Sequence, residues 1–465
     1  MVKSSKWNML KRSVASGLIA LVAMLGIVVP VQANEASASV PQISPWSIKV
    51  LNEGEKYGIF PLTWYYDGTF QKPITQDKFQ SLIAATSSKL DALALTKKHS
   101  YAAPKVTGVI TRETVMTSVY SVLAQYEWPE TLEMDKYEPI AYLQTKGIIN
   151  GTGKGLDLNK PSTVEHAAVI ASRLVEYAYD AVGGGAKGLL WKATHGKNTM
   201  YLLGSIHLGD PVMYPMQKKV RDAFKQSDSL WVEVDLQGNP DALASFTQLM
   251  SYTDGTKLSD HISKETYEKL QKVLTKLNLP KEVFDTFKPW AISNNLSTSM
   301  MSSSSEESVQ AAALGIDMYF TSSALLTGKP IHELEGLKLQ GDLFNNVPAA
   351  VQEKELNEAL DQVLTPTGKS DEMLAMFKGW QKQWAKGELE QFTKSFTSSE
   401  EMVQSEQAQR LFGERDTNMA KKLMELLDKE GSSTHFVVVG AGHFVIKDMI
   451  IDQLKAKGYD IQFVQ

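Results

Sequence analysis

Three consecutive glycines, Gly183, Gly184 and Gly185, separate two different kinds of apolar pattern. Glycine loses more backbone freedom on folding than any other residue, so a triplet interrupts whatever regular element precedes it. From about residue 46 to 180 the spacing is helical, with Ser or Thr at expected helix starts. From 188 onward, short apolar β-type runs alternate with one-faced helices. The chain has 465 residues, a length that favours two or three domains. The division read from sequence is a signal peptide (1–33), a leader (34–45), a mainly helical repeat domain (46–180), a Gly-rich linker (181–187) and a second domain (188–465).

The first 33 residues carry Lys3, Lys6, Lys11 and Arg12, then an apolar stretch from about Gly17 to Val29, then Val31-Gln32-Ala33 before Asn34. A positive start, a short apolar run and small residues at the cleavage position are the pattern of a secretory signal peptide. The run is short for a membrane span of about 20 residues, and no later segment is long enough. The expectation is export, with the mature protein secreted or associated with the cell wall and envelope, and no transmembrane span after cleavage.

The chain holds 48 basic and 53 acidic side chains; the expected signal peptide takes four of the basic ones and no acid, so the mature net charge is −9 with His neutral. That sign argues against nucleic acid as a partner, which requires a basic face. Cysteine is absent, which excludes disulfides, thiol catalysis, thiolate zinc sites and iron–sulfur clusters.

The first region carries weak internal similarity. Tyr57-Gly58-Ile59 leads to Pro73-Ile74-Thr75-Gln76-Asp77, Ile110-Thr111-Arg112-Glu113 opens another helical stretch, and Lys146-Gly147-Ile148-Ile149-Asn150-Gly151 leads to Pro161-Ser162-Thr163-Val164-Glu165. The recurring theme is a helix, a Gly-containing turn, an extended Pro stretch and a Ser/Thr N-cap. This resembles S-layer homology (SLH) repeats. Residues 110–113 come nearest the Thr-Arg-x-Glu core, with Glu113 directly after Arg112 and Thr114 where the core has its Glu; the other copies have Gln76-Asp77 and Val164-Glu165. The resemblance implies cell-wall polysaccharide as a partner of this module.

In the second region, 188–194 and 199–204 read as β-runs joined by His195-Gly196-Lys197-Asn198, a hairpin signal. A helix is expected from about 215 to 226, a strand over 229–235, and a helix over 266–279 stopped by Pro280. Ser302 to Ser305 reads as a loop. An amphipathic helix through Met419 and Leu427, a strand over 436–439, a helix to Lys457 and a strand over 459–464 close the chain. The expected fold class is α/β or α+β around one mixed sheet opened by a β-hairpin.

Two copies of Gly-x-x-His stand out: Gly204-Ser205-Ile206-His207 and Gly440-Ala441-Gly442-His443. Each follows an apolar β-run, so each His lies just past a strand end, where a rigid sheet positions working groups. Two imidazoles presented this way suit one divalent metal. In Trp231-Val232-Glu233-Val234-Asp235, strand alternation would place Glu233 and Asp235 on one face. Two carboxylates beside a His pair would supply a metal ligand and a general base.

Those motifs, with Lys288-Pro289-Trp290, Gly315-Ile316-Asp317, Gly328-Lys329-Pro330, Leu334-Glu335, Arg415 and Val439-Gly440-Ala441-Gly442-His443 in this order, resemble the TraB/GumN family, whose relatives include Tiki-type metalloproteases and erythromycin-esterase-like hydrolases. The resemblance covers about 188–465. It implies a hydrolytic site in which His207 and His443 bind a divalent metal (zinc, manganese or cobalt) or act directly, with Glu233 and Arg415 nearby. The family often has Asn after that Arg, whereas Arg415 is followed here by Asp416. Arg415 would either bind a substrate carboxylate or phosphate or pair with an acid. Glu335 and Asp317 read as structural, Asp317 as N-cap of a helix ending near Gly328. His332 and His435 read as incidental.

His332-Glu333-Leu334-Glu335 lacks the second His of a zincin motif, Gly368-Lys369-Ser370 lacks the first P-loop Gly, and no Gly-x-Ser-x-Gly elbow occurs. The expected function is an exported, envelope-associated metal-dependent hydrolase of peptides or small molecules. The alternative is a non-catalytic binding or signalling protein on the same fold, anchored by its repeats.

Overall fold

The computed structural model describes residues 41–102, 105, 107–151, 155–235, 237–301, 304–365, 369–398 and 406–464. The expected signal peptide, Ser302 and Ser303 of the expected Ser-rich loop, and most of the expected leader lie outside them. The chain forms two compact units: Glu35–Ala186 with Pro211–Arg221, and Lys187–Asp210 with Asp222–Gln465.

The N-terminal unit is mainly helical, with helices at Ile48–Lys56, Gln76–Asp91, Arg112–Ala124, Pro139–Thr145 and Val164–Ala181. Three of them begin at a threonine whose hydroxyl accepts the N–H three residues on: Thr75 from Lys78 (3.4 Å), Thr111 from Thr114 (3.2 Å) and Thr163 from His166 (3.1 Å). Each cap satisfies a helix donor that has no intrahelical partner. The extended segments before these helices are bonded together. Ile74 N–H donates to the Ser162 carbonyl (2.8 Å), and Ser162 N–H donates to the Ile110 carbonyl (2.9 Å). The extended segments before Thr75, Thr111 and Thr163, two of them opened by a Pro, thus bring three helix starts to one buried junction.

Residues 41–45, expected to be flexible leader, are anchored. Ile43 is buried, and the buried Glu165 carboxylate accepts from Ser44 N–H (2.7 Å), Ser44 Oγ (3.0 Å) and Ser47 Oγ. The glycine triplet closes the helix Val164–Ala181. Gly183 takes a left-handed φ of +63°, Gly184 N–H reaches the Tyr179 carbonyl at 2.8 Å and Gly183 N–H reaches that of Asp180 at 3.2 Å, the two bonds of a Schellman cap.

The C-terminal unit is built on a six-stranded sheet of order β4-β3-β5-β2-β1-β6, with β1 Leu189–His195, β2 Asn198–Ser205, β3 Ser229–Val232, β4 Ile331–Glu333, β5 Thr434–Gly440 and β6 Asp460–Phe463. β1 and β2 form the expected hairpin, His195 facing Asn198. β2 pairs in parallel with β5, β5 with β3, and β3 with β4, whereas β1 is antiparallel to both neighbours. The mixed sheet among many helices bears out the expected fold class. Val437, Val438 and Val439 of the central β5 are all fully buried, as a strand covered on both faces requires. No helix among the described residues is long and apolar enough to cross a membrane.

Several boundaries differ from expectation. The strand expected over 229–235 stops at Val232. Beyond it the Glu233 carbonyl accepts the N–H groups of Glu335 and Gly336, both at 3.0 Å, so the backbone leaves the sheet ladder and pairs with the loop after β4. The helix expected from 215 begins at Lys218, and the helix expected over 266–279 runs Lys264–Lys276, set two residues earlier by its Ser263 cap. Ser305 lies in the helix Ser305–Ala313, capped by Ser304, rather than in a loop.

Candidate active site

β2, β3, β4 and β5 run in the same direction, so their carboxyl ends lie side by side, the place where open parallel sheets gather ligands. Ser205 at the end of β2 is in register with Gly440 at the end of β5. His207 follows two residues after Ser205 and His443 three after Gly440, while Glu233 follows β3 directly. Gly440 lies at the centre. A Cβ there would sit 3.3 Å from Glu233 Oε1, 3.6 Å from His443 Cδ2 and 4.0 Å from His207 Nε2.

Both imidazoles are held by the same ring atom. His207 Nδ1 lies 2.7 Å from Asp317 Oδ2, and Asp317 Oδ1 accepts from Ser205 Oγ at 2.9 Å. His443 Nδ1 lies 2.9 Å from Asp416 Oδ1, and Asp416 Oδ2 accepts from Gly413 N–H at 2.8 Å. With Nδ1 engaged, each ring has Nε2 left to work. Asp317 reaches His207 because Gly315 lacks a side chain: a Cβ there would collide with the His207 carbonyl oxygen. Ile316 N–H donates to the Ile206 carbonyl at 3.1 Å. The expected N-cap role of Asp317 is corrected, since Gly315 is the cap residue of the helix Ile316–Thr327 and Asp317 lies in its first turn.

Glu233 is buried and held on both oxygens. Oε1 accepts from Gly440 N–H at 2.6 Å; Oε2 accepts from Gln340 Nε2 at 3.1 Å and from an Arg415 guanidinium nitrogen at 3.2 Å. His443 Nε2 lies 3.9 Å from the same Oε2. Arg415 donates Nε to Glu335 Oε1 at 2.8 Å, a second nitrogen to Glu335 Oε2 and a third to the Leu411 carbonyl at 2.8 Å. The bidentate Arg415–Glu335 pair fixes the plane of the guanidinium. Of the two roles weighed for Arg415, the structure shows pairing with acids.

Asp235 is not brought to this cluster. Its Oδ1 accepts from Gln237 N–H (3.1 Å) and Gly238 N–H (2.8 Å), closing the turn after β3. The alternation expected to align it with Glu233 fails because the strand has already ended. His332 packs against Trp231 in a tilted contact with ring centroids 4.6 Å apart, and His435 pairs with Ser229 and Ser433 toward the other end of β3 and β5.

Charges shift the titrating groups. The Asp317 carboxylate raises His207, whose side chain is 55% exposed, to about 9, with Glu233 adding to the rise. Burial raises Glu233, but the rings of His443 and His207, Arg415 and the Gly440 N–H together bring it below the usual range. Asp317 is likewise lowered, burial being outweighed by His207 and Ser205. Burial opposes the Arg415 charge, and Glu335 and Glu233 more than restore it. Four carboxylates and one guanidinium around two imidazoles leave a surplus of negative charge, an environment that favours a cation.

Sequence reading missed the carboxylates that do the holding. Asp317 and Glu335 belong to motifs already noticed but were read as structural, Asp416 was read only as a departure, and Gln340 carried no signal.

A mixed sheet with two His-bearing turns and a buried glutamate at the carboxyl ends of its parallel strands defines the class. The TraB/PrgY/gumN family matches residues 189–462, more than half of the chain, and the chain belongs to that family. It is 26% identical over 185 residues to the uncharacterized protein YbaP of Escherichia coli, covering 40% of this chain and 64% of that one. It is 22% identical over 301 residues to the metalloprotease TIKI1 of Xenopus tropicalis, covering 56% and 58%, and 22% identical over 302 residues to the metalloprotease TIKI2 of Danio rerio, with the same coverage. The chain thus spans about three fifths of the length of these curated relatives. No solved structure matches it.

The relatives' names raise the question of a metal. Two imidazole Nε2 atoms, each with a carboxylate behind Nδ1, are a donor set suited in chemistry to a divalent ion. Among the described residues, however, no three His, Asp or Glu side chains are placed to hold an ion together. The third candidate, Glu233, is turned to Gly440, Gln340 and Arg415 instead.

Proposed function

We propose that the C-terminal unit is a metal-dependent hydrolase, with peptides as its leading substrate class. The observation that carries this reading is the convergence of two aspartate-backed imidazoles and a buried glutamate on the space above Gly440. His207 and His443 would hold the ion, taken to be zinc, manganese or cobalt. A bound divalent ion supplies Lewis acidity and makes a water more acidic.

The chain's own residues do the rest. Glu233, kept ionised by Arg415 and the Gly440 N–H, accepts the proton of the attacking water at a carboxylate oxygen and delivers it to the leaving group. Arg415 and Gln340 hold that carboxylate against rotation, and Glu335 holds Arg415. Asp235 serves the turn after β3, leaving Glu233 as the base.

The same proposal includes export and attachment to the envelope. The basic start, apolar run and small residues of the first 33 positions support export. Three threonine-capped helix starts sharing one junction support a repeat module of the SLH kind, and with it cell-wall polysaccharide as a partner. In the copy nearest the Thr-Arg-x-Glu pattern, Arg112 is buried and its Nε donates to the Leu156 carbonyl at 2.8 Å, so polymer contact falls to other side chains. Full-length mature chain that stays in the supernatant with purified cell walls would refute the attachment.

A second reading, a binding or signalling protein without catalysis, is favoured by one observation: both oxygens of Glu233 are already bonded within the protein. Isothermal titration with zinc separates the two. The hydrolase reading expects about one equivalent bound by the wild type and none by the His207→Ala/His443→Ala double variant. Equal uptake by both, or none by either across zinc, manganese and cobalt, would leave the binding role.

A further inference from the structure

We infer that Asp317 and Asp416 are a matched pair of positioning residues that fix the tautomer and aim of His207 and His443, so that both rings, when neutral, present an unprotonated Nε2 to the space above Gly440. This rests on the reading of the two histidines as the working groups, and goes beyond it by naming what sets them.

The geometry is the same twice, from unrelated parts of the chain. His207 comes from the turn after β2 and its aspartate from the helix Ile316–Thr327; His443 comes from the turn after β5 and its aspartate from the helix Glu414–Asp428. In each pair Nδ1 meets one carboxylate oxygen, at 2.7 and 2.9 Å. In each, the other oxygen accepts from a fixed donor of the fold, Ser205 Oγ at 2.9 Å or Gly413 N–H at 2.8 Å. A carboxylate can only accept, so a neutral ring facing it must carry its proton on Nδ1. Nε2 is then a lone pair, ready for a cation or a proton. The second bond to each carboxylate prevents it from turning away, so ring orientation follows from backbone position.

Asp416 is the more constrained member. It is fully buried, and the Phe412 ring packs against His443, their centroids 5.0 Å apart. The ring is thus held at Nδ1 and by an aromatic contact. In an Asp416→Asn variant, Gly413 N–H would claim the single carbonyl oxygen. The amide nitrogen would face His443 Nδ1 as a donor, and the ring proton would have to move to Nε2. Size and fold are kept while the working nitrogen is blocked.

The test is nitrogen NMR on the full mature chain, metal-free and labelled with ¹⁵N-histidine, above the pH at which the rings lose their charge. His207→Gln and His443→Gln variants assign the two signals. The expected result is a proton on Nδ1 of both rings in the wild type, with His443 alone switching to Nε2–H in Asp416→Asn. His207 alone should switch in Asp317→Asn, which decides the matter should the buried Asp416 variant fail to fold. Zinc titration is the second readout: each Asn variant should bind about 10- to 100-fold more weakly than wild type. Tautomers as expected in a chain that takes up no zinc support the positioning role and count only against the metal reading. A wild-type ring protonated on Nε2, or a tautomer unmoved by its Asn substitution, overturns the inference.

Discussion

The two units arrange buried charge differently. In the N-terminal unit, Glu165 accepts from the backbone and hydroxyls of residues 44–47 and Arg112 donates to a carbonyl. These two groups fasten chain segments, and the buried pair of Lys56 with Glu55 (2.7 Å) joins adjacent residues. In the C-terminal unit, Glu233, Glu335, Arg415, Asp317 and Asp416 are bonded largely to one another and to two imidazoles. Charges that fasten backbone mark architecture. Charges that converge on titratable rings, in a low-dielectric setting where each strengthens or penalises the next, mark a site.

That contrast can be broken by substitution. The largest effect is expected at Arg415→Met, which leaves Glu233 and Glu335 buried without their cation. Loss of one partner from such a group destabilises by about 3–5 kcal/mol, and thermal unfolding of the C-terminal unit should shift accordingly. Arg112→Met removes the bond to the Leu156 carbonyl and the attraction of Asp157, and should cost the N-terminal unit about 1–3 kcal/mol. An equal or larger loss at Arg112 would erase the distinction between the units.

Gly440→Ala sharpens the comparison from the other side. The added methyl enters the space between Glu233 and the two rings, so zinc uptake should fall at least tenfold while stability drops by only about 1 kcal/mol. Calorimetry of the same preparation checks both. Retained uptake would place the donors elsewhere.

Much of this was legible in the sequence, and the rest was hidden for physical reasons. The hairpin could be read because its alternation is local, with Gly196 supplying the left-handed turn at φ +56°. The two His turns could be read because a glycine-rich segment directly follows an apolar run. Asp317 could not: its part depends on the helix Ile316–Thr327 lying against the chain after His207, a packing allowed by Gly315 and invisible as spacing. Asp235 was misjudged because two-residue alternation was extended past Val232, where hydrogen bonds from the loop after β4 had ended the strand. Asp416 looked like a departure from a pattern, yet it holds His443.

Smaller effects follow. Replacing Thr75, Thr111 or Thr163 by Ala should cost about 1 kcal/mol each through the lost helix cap and leave zinc binding unchanged, as thermal melts and titration would show. In the metal-free protein, the raised His207 makes its pairing with Asp317 fully stabilising below pH 6.5, the ordinary histidine value, with the contribution lost as pH rises toward about 9. The stability difference between wild type and His207→Gln should therefore shrink across that window. A gap that widens instead would reverse the assigned sign.

The central claim is that two turns distant in sequence form one site through the Nε2 atoms of His207 and His443. X-ray absorption on zinc-loaded full-length chain tests it most directly. The account predicts two imidazole nitrogens around the ion, reduced to one in either single His→Gln variant. A shell without imidazole, or one unchanged by both substitutions, would contradict it.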